Sequence, residues 1–283
     1  MDSFIRNIAD TALWVAVYRA DESDRPDAVF HDPFARKLAG ERGEQIVQAM
    51  ESGRKNSWSF IARTYLFDQF IMEHINAGYD TIINLACGLD TRVYRLPLSA
   101  TLTWVDVDLP DMINYVQSMM VNEKPKCNHE RVSMDLSNRK ERIDLFRKLG
   151  KRGEKILVVT EGLMVYLDES DAGTFAVDLS REKKFKHWVN DIYSPGILPL
   201  IQQEIGSLLQ GSNSQFKFAP VEGEDFFLHF NWCPLESRSK LKTAATLKRL
   251  SPELMDFVNR PEPIGPKYSF PWSGVCLFEN ISR

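Results

Sequence analysis

Cysteine is scarce and scattered in this chain. Cys87, Cys127, Cys233 and Cys276 are the whole supply, with no C-x-x-C pair and no Cys/His ligand spacing. That excludes a zinc finger and a disulfide scaffold, and a reducing cytoplasm is the expected compartment. The five histidines show neither metal-ligand nor catalytic-triad spacing, so no metal is expected. Long apolar runs are lacking as well. None approaches the ~20 residues of a membrane span, and Met1 to Tyr18 has no basic leader followed by an apolar core. A soluble protein with no membrane partner is expected. No charge of one sign dominates: 35 Lys and Arg stand against 39 Asp and Glu, net −4, pI near 5.8. Such a balance leaves no global footprint for nucleic acid, and the local run Arg139, Lys140, Arg142 reads as a solvated helix face. Internal repeats and low-complexity tracts are missing too.

What is present is the material for one large core. With 43% hydrophobic and 26% charged residues in 283, one elaborated domain spanning 1–283 is expected. The first eighty residues read as helical, with apolar spacing through Phe4, Ile8, Leu13 and Val17 and again through Phe60, Ile61, Leu66, Phe67, Phe70 and Ile71. Arg25-Pro26-Asp27 is a loop, and Asp32 is expected to cap a helix with Pro33 at its first position. From Asp80 the pattern switches to short apolar runs, at 81–86, 102–107 and 155–160, each a buried strand, with weaker strands at 131–134 and 186–190. Helical stretches near 111–120, 140–149 and 168–179 separate them, and that alternation predicts a parallel α/β sheet. After Ser194-Pro195-Gly196 come a helix to about Leu209, a polar stretch at 211–214, and the aromatic-rich Phe226 to Phe230, read as an insertion over the sheet's edge. Phe216, Phe218, Phe226, Phe227, Phe230 and Trp232 are expected to form core or lid. The segment 272–279 is a last strand that must pair with the sheet. The predicted organisation is a helical cap (1–79), an α/β core (80–194), an insertion (195–235) and a completion of the sheet (236–283).

In open α/β sheets ligands bind beyond the carboxyl ends of the strands, and four such ends here are polar. After the first strand, Ala86-Cys87-Gly88-Leu89-Asp90-Thr91-Arg92 is a tight turn that lets a ligand approach the backbone. One glycine is too few for the G-x-G-x-x-G of a dinucleotide site, which argues against a nicotinamide-dependent oxidoreductase. The second strand ends in Asp106-Val107-Asp108-Leu109-Pro110. A carboxylate there suits the hydroxyls of a ribose, and Asp106 and Asp108, sharing strand parity, both qualify. At the third, Asp135 followed by Leu136 suits an adenine amino group and ring. At the fourth, Glu161 in an apolar stretch suits a methionine ammonium or a sulfonium. Taken singly, Asp108, Asp135 and Glu161 read equally as helix caps or salt-bridged residues, and Arg63 as a surface charge; their shared sheet edge is what weighs. Cys87 sits in the turn with no histidine placed to activate it, and reads as a small packed thiol rather than a nucleophile.

Asn84 to Arg92, Val107-Asp108-Leu109-Pro110, Asp135-Leu136 and Glu161 to Tyr166 resemble, in order and spacing, the leucine carboxyl methyltransferase family. The resemblance extends to Arg25-Pro26-Asp27 through Asp32-Pro33-Phe34-Ala35 and to Ala62-Arg63. Around Phe218-Ala219-Pro220 and Phe226-Phe227 it is closer to the bacterial, polyketide-type branch. It implies a Rossmann-like class I methyltransferase fold: a mostly parallel seven-stranded sheet with helices on both faces, an N-terminal helical cap and an insertion before the last strands. It implies S-adenosyl-L-methionine as cofactor, with S-adenosyl-L-homocysteine as product. By the same resemblance Arg63 grips the cofactor carboxylate, the backbone of Ala86, Cys87 and Gly88 faces its methionine part, and Asp108 takes the ribose. Asp135 and Leu136 frame the adenine, Glu161 lines the pocket, and Arg19 is a further basic contact. One departure is plain: family members often carry glycine where this chain has Ala86.

The expected activity is methyl transfer to a carboxylate or hydroxyl oxygen of a small molecule. A protein C-terminal carboxylate is the alternative acceptor, and a non-catalytic cofactor-binding protein the alternative from another class. Transfer from a sulfonium mainly requires alignment and exclusion of water, so no catalytic residue is assigned. For a phenolic acceptor, which a base would help, Asp191, Tyr193 and His229 are the candidates.

Overall fold

The computed structural model describes residues 8–50, 53–209, 215–260 and 270–282; Phe4 and the polar stretch 211–214 lie outside them. Seven strands form one sheet: β1 (Thr81–Leu85), β2 (Thr103–Asp108), β3 (Asn128–Ser133), β4 (Ile156–Thr160), β5 (Phe185–Tyr193), β6 (Trp232–Ser239) and β7 (Ser273–Asn280). Their spatial order is β3-β2-β1-β4-β5-β7-β6. The first five are parallel, and β7 runs antiparallel between β5 and β6. β1 and β4 are buried at every position, as expected of central parallel strands covered on both faces. Period-2 alternation sends Ile82, Trp104 and Leu157 to one face and Ile83, Val105 and Val158 to the other.

Among the described residues there are ten α-helices, with three short 3-10 helices beside them: α1 (Ile8–Ser23), α2 (Ala35–Ala49), α3 (Ser57–Asn76), α4 (Arg92–Arg95), α5 (Pro110–Met119), α6 (Arg139–Leu149), α7 (Glu169–Ser180), α8 (Leu198–Leu209), α9 (Lys240–Thr246) and α10 (Pro252–Val258). α1, α2, α3 and α5 pack one face through Trp14, Val17, Phe67, Phe70, Ile71 and Met112. α6 and α7 pack the other through Leu145, Phe146, Phe175 and Leu179. The N-terminal helices therefore supply much of one helical layer, and α1 and α3 also reach over the carboxyl ends of the strands.

Several elements differ from expectation, each for a physical reason. α2 begins at Ala35, not Pro33: Asp32 Oδ1 accepts only the Phe34 N–H at 3.2 Å, while Oδ2 is taken by Arg19 Nε at 2.9 Å and Thr91 Oγ1 at 2.7 Å. β3 starts earlier than its apolar residues because it is an edge strand whose outer residues face water. β6 lies partly inside the expected insertion; it is the other edge, half exposed, with a register shift between Pro234 and Glu236. Proline, a bulge and charge are how edges avoid further pairing, and they also erase the strand pattern. Arg142 is not part of a solvated face: it is buried, with Nη2 2.6 Å from Asp178 and Nη1 2.7 Å from the Leu136 carbonyl. Arg139 joins the same carboxylate. Of the aromatic cluster, Phe218, Phe226, Phe227 and Trp232 are core, stacked around Trp188 and Phe278, much of it from a 3-10 helix at Gly223–Phe230.

The β6/β7 pairing leaves no room at Gly274, where a Cβ would lie 2.8 Å from the Arg238 carbonyl and 2.5 Å from the Trp272 ring. Backbone cannot yield as a flexible side chain does. Gly274→Ala is expected to destabilise the protein by roughly 1–3 kcal/mol in urea unfolding; an unchanged midpoint would refute that packing.

Candidate functional site

The sheet order reverses between β1 and β4, and the crevice beyond their carboxyl ends holds a cavity of about 850 Å³. This is where such folds bind ligands, and the volume lies within the usual range for a small-molecule site. Its floor is the four strand exits. Its roof is α1 and α3, through Thr11, Ala12, Trp14, Val15 and Phe60, with Phe216 beside them. Arg19, Arg63, Ala86, Cys87, Gly88, Asp108, Asp135, Leu136 and Glu161 all line this one cavity.

The exit of β1 is a doubly left-handed turn, with Ala86 at φ 52° and Gly88 at φ 53°. It lets the Gly88 N–H donate to Asp108 Oδ2 at 2.6 Å while the Cys87 N–H donates to the Val107 carbonyl at 3.2 Å. Asp108 Oδ1 accepts the Leu109 N–H at 2.7 Å, and acceptor capacity remains on the carboxylate for a ligand. Burial raises the Asp108 pKa, and those backbone donors oppose the rise. Asp106, the other carboxylate of the strand, is buried in the sheet and accepts from Asn84 Nδ2 (3.0 Å), Trp104 Nε1 (2.8 Å) and His129 Nε2 (2.7 Å). Of the two carboxylates that share strand parity, Asp108 lines the cavity and Asp106 does not.

The exit of β4 carries Glu161 and then Gly162 at φ 69°. Glu161 Oε1 accepts from Arg63 Nε at 3.0 Å and Oε2 from Arg92 Nη2 at 2.8 Å. Burial acts to raise its pKa, but the Arg92 and Arg63 guanidiniums outweigh it and hold the carboxyl at about 2. Glu161 therefore has internal cationic partners as well as a place on the cavity wall. Arg63, expected by default on a helix surface, is buried, with Nη1 3.5 Å from Asp191. Arg19 is tied to Asp32 and donates to the Leu89 carbonyl at 2.6 Å. Asp135 is exposed at the rim, accepting the Ser137 N–H at 2.9 Å, and Leu136 is half-buried with its carbonyl held by Arg142.

Arg92, which the turn motif contains but to which sequence reasoning gives no role, is the hub of the floor: Nε reaches Asp68 at 2.6 Å, Nη1 Asp90 at 2.5 Å and Nη2 Glu161. Nothing in its spacing marks an inward side chain, since Asp68 lies on α3. Of the roof residues, Phe60 carried only helical periodicity, and Thr11 and Trp14 carried no signal in the sequence. Tyr166 donates to Thr11 Oγ1 at 3.2 Å, joining the loop after β4 to α1. The three base candidates do not line the cavity: His229 is exposed, while Asp191 and Tyr193 are buried behind Arg63. The Cys87 thiol is pushed well above its ordinary range by burial and by Asp106 and Asp108, which keeps it an un-ionised packed thiol. Among the described residues no cluster of three or more His, Cys, Asp or Glu has metal-binding geometry, and no helix is long and apolar enough to cross a membrane.

A seven-stranded sheet of this order with its polar exits gathered on one cavity defines the Rossmann-like class I methyltransferase fold. Two solved structures share it: a methyltransferase candidate from Thermobifida fusca (12% identity, 99% of this chain and 97% of that one, TM-score 0.57) and a DUF574 family protein from Streptomyces avermitilis (12% identity, 94% and 96%, TM-score 0.55). Within that class the chain belongs to the leucine carboxyl methyltransferase family, whose model matches residues 12–176. Curated relatives named as candidate S-adenosyl-L-methionine-dependent methyltransferases include one from Parafrankia sp., 30% identical over 62% of this chain, and one from Mycobacteroides abscessus, 27% identical over 77%. The matched region spans 59% and 69% of those proteins.

Two expectations follow from the exits. Alanine in the left-handed region is strained while glycine is not, so Ala86→Gly is expected to raise stability by about 0.5–1 kcal/mol after the extra unfolded-state entropy of glycine is deducted; a lowered urea midpoint would contradict the turn geometry. Glu161, depressed from 4.5 to about 2, contributes stability that is complete above pH 4.5 and lost as pH falls towards 2. Glu161→Gln should be less stable than wild type at pH 7, with the difference shrinking over that window in acid denaturation.

Proposed function

We propose that the chain is an S-adenosyl-L-methionine-dependent O-methyltransferase acting on a carboxylate or hydroxyl of a small, partly apolar molecule. The observation that carries this reading is the convergence of Asp108, Asp135-Leu136, Glu161 and the Ala86–Gly88 turn on one cavity beneath an apolar roof. The cavity fits the cofactor. Asp108 offers lone pairs to two vicinal ribose hydroxyls, Leu136 an apolar face and Asp135 an acceptor for adenine. The left-handed turn brings backbone within contact of the methionine part, and Arg63 and Arg19 are the cations facing its carboxylate.

When bound, the cofactor supplies a methyl group already activated on sulfur. The chain's own residues then align and desolvate. Val15, Phe60, Val165 and Phe216 exclude water from the acceptor side, while the hydroxyls of Thr11 and Tyr166 are placed to orient a polar acceptor group. A carboxylate acceptor is ionised at neutral pH and needs no base, and no catalytic base is assigned. The family's description keeps a leucine carboxylate as the competing acceptor. We place the enzyme in the cytoplasm, with its acceptor rather than nucleic acid or membrane as partner.

Calorimetry with S-adenosylmethionine, S-adenosylhomocysteine and NAD is the test. The first two should bind and NAD should not, and Asp108→Ala should weaken binding by roughly 10- to 100-fold. NAD binding alone would support an oxidoreductase, and no binding would remove the cofactor assignment. Turnover of tritiated cofactor on phenolic and carboxylic metabolites, against a peptide ending in leucine, separates the acceptors; binding without turnover on any would favour a non-catalytic role.

A further inference from the structure

Lys240, the first residue of α9, is fully buried, yet it does not line the cavity. A buried lysine requires a partner, and here it is Asp191 of β5, whose Oδ2 lies 3.4 Å from Nζ. The ammonium also sits 3.9 Å from the centre of the Tyr193 ring. Asp191 is a junction. Its Oδ1 accepts the Gly162 N–H at 2.7 Å, and its Oδ2 lies 3.5 Å from Arg63 Nη1. Gly162 sits at φ 69°, and Arg63 Nη1 lies 3.0 Å from where a Cβ would stand, so the guanidinium packs directly against the turn. The chain of contacts runs from Lys240 through Asp191 to the two groups that shape the exit of β4.

We propose that Lys240 is a positioning residue for the amino-acid end of the cofactor site, acting through Asp191 on the Gly162 turn and on Arg63. The proposal rests on the cofactor reading above. With the ammonium in place, Asp191 is shared between two cations and Arg63 remains on Glu161 and the cavity wall. Without it, Asp191 has Arg63 as its single cationic partner and draws the guanidinium away from Glu161 and from a ligand carboxylate. The adenosine end, held by Asp108, Asp135 and Leu136 from β2 and β3, is on the far side of the sheet's switch point and does not depend on Asp191.

The groups facing Lys240 are Asp191 and Tyr193 from β5, Arg63 from α3, Glu161 beyond β4 and the Cys276 thiol from β7. Burial lowers the lysine to about 8, against the opposing pull of Asp191, while burial raises both the Tyr193 hydroxyl and the Cys276 thiol above their ordinary values. Of these groups Lys240 is therefore the one whose charge changes just above neutrality, and its influence is present below about pH 8 and lost above it.

The test uses the full chain and two ligands: S-adenosylhomocysteine, which has the amino-acid end, and 5′-methylthioadenosine, which lacks it. Lys240→Met should weaken the first by about tenfold and leave the second within twofold. Unchanged binding of S-adenosylhomocysteine, or equal loss of both ligands, overturns the proposal, the latter marking a merely structural lysine. If Lys240→Met does not fold, the wild type decides: affinity for the deamino analogue of S-adenosylhomocysteine, which keeps the carboxylate and has no titrating amine, should fall as pH rises through 8 while that for 5′-methylthioadenosine stays level. Parallel profiles overturn the proposal. Failure of the wild type to bind either ligand would instead remove the cofactor reading, and this inference with it.

Discussion

Glu161 held between Arg63 and Arg92 is the contact on which the site depends. It joins the exit of β4 to α3 and to the turn after β1 through side chains. The chain of charge continues through Arg92 to Asp90 and Asp68, through Asp68 to Arg95, and through Asp191 to Lys240. Arg19 and Asp32 pair nearby on the α1 side. Five basic groups face five carboxylates, so the ensemble is neutral despite its burial. A buried ion pair adds little net stability over an apolar packing of the same shape, but removing one member leaves an uncompensated charge, with a penalty of roughly 3–5 kcal/mol. What the network secures is geometry: the roof stays registered over the floor.

That registration explains how a sheet edge becomes a nucleoside-sized cavity. Parallel strands place their exits side by side, and the reversal of order between β1 and β4 parts the following loops. Backbone in left-handed conformation at Ala86, Gly88 and Gly162 turns each loop sharply enough to keep the polar groups at the rim. Ala86 carries strain there that glycine would not. Such strain persists only where surrounding contacts over-determine the turn, as the Gly88–Asp108 and Cys87–Val107 hydrogen bonds do here.

The central strands were legible because burial on both faces writes itself as unbroken apolar runs: Ile82-Ile83 and Leu157-Val158-Val159 have no polar interruption. The edges were not. β3 and β6 are half polar because half their surface meets water, and in β6 Pro234 and the bulge beside it remove the remaining regularity. The basic run around α6 misled for a related reason, since only the fold brings the buried Asp178 of α7 within reach of Arg142. Local rules also yielded to long-range partners at Asp32, whose carboxylate serves Arg19 and Thr91 in preference to capping α2.

By itself the sequence determined the order of the strands along the chain, the polar character of their exits and the one-glycine turn that separates this site from a dinucleotide fold. These are local properties, set by side-chain period and backbone preference within a few residues. Tertiary structure alone decided that Asp106 is spent inside the sheet on Asn84, Trp104 and His129, that Arg92 is the hub of the floor, and that Lys240 stands behind Asp191. Each of those depends on pairing between residues tens of positions apart, and no local pattern encodes which buried charge will meet which.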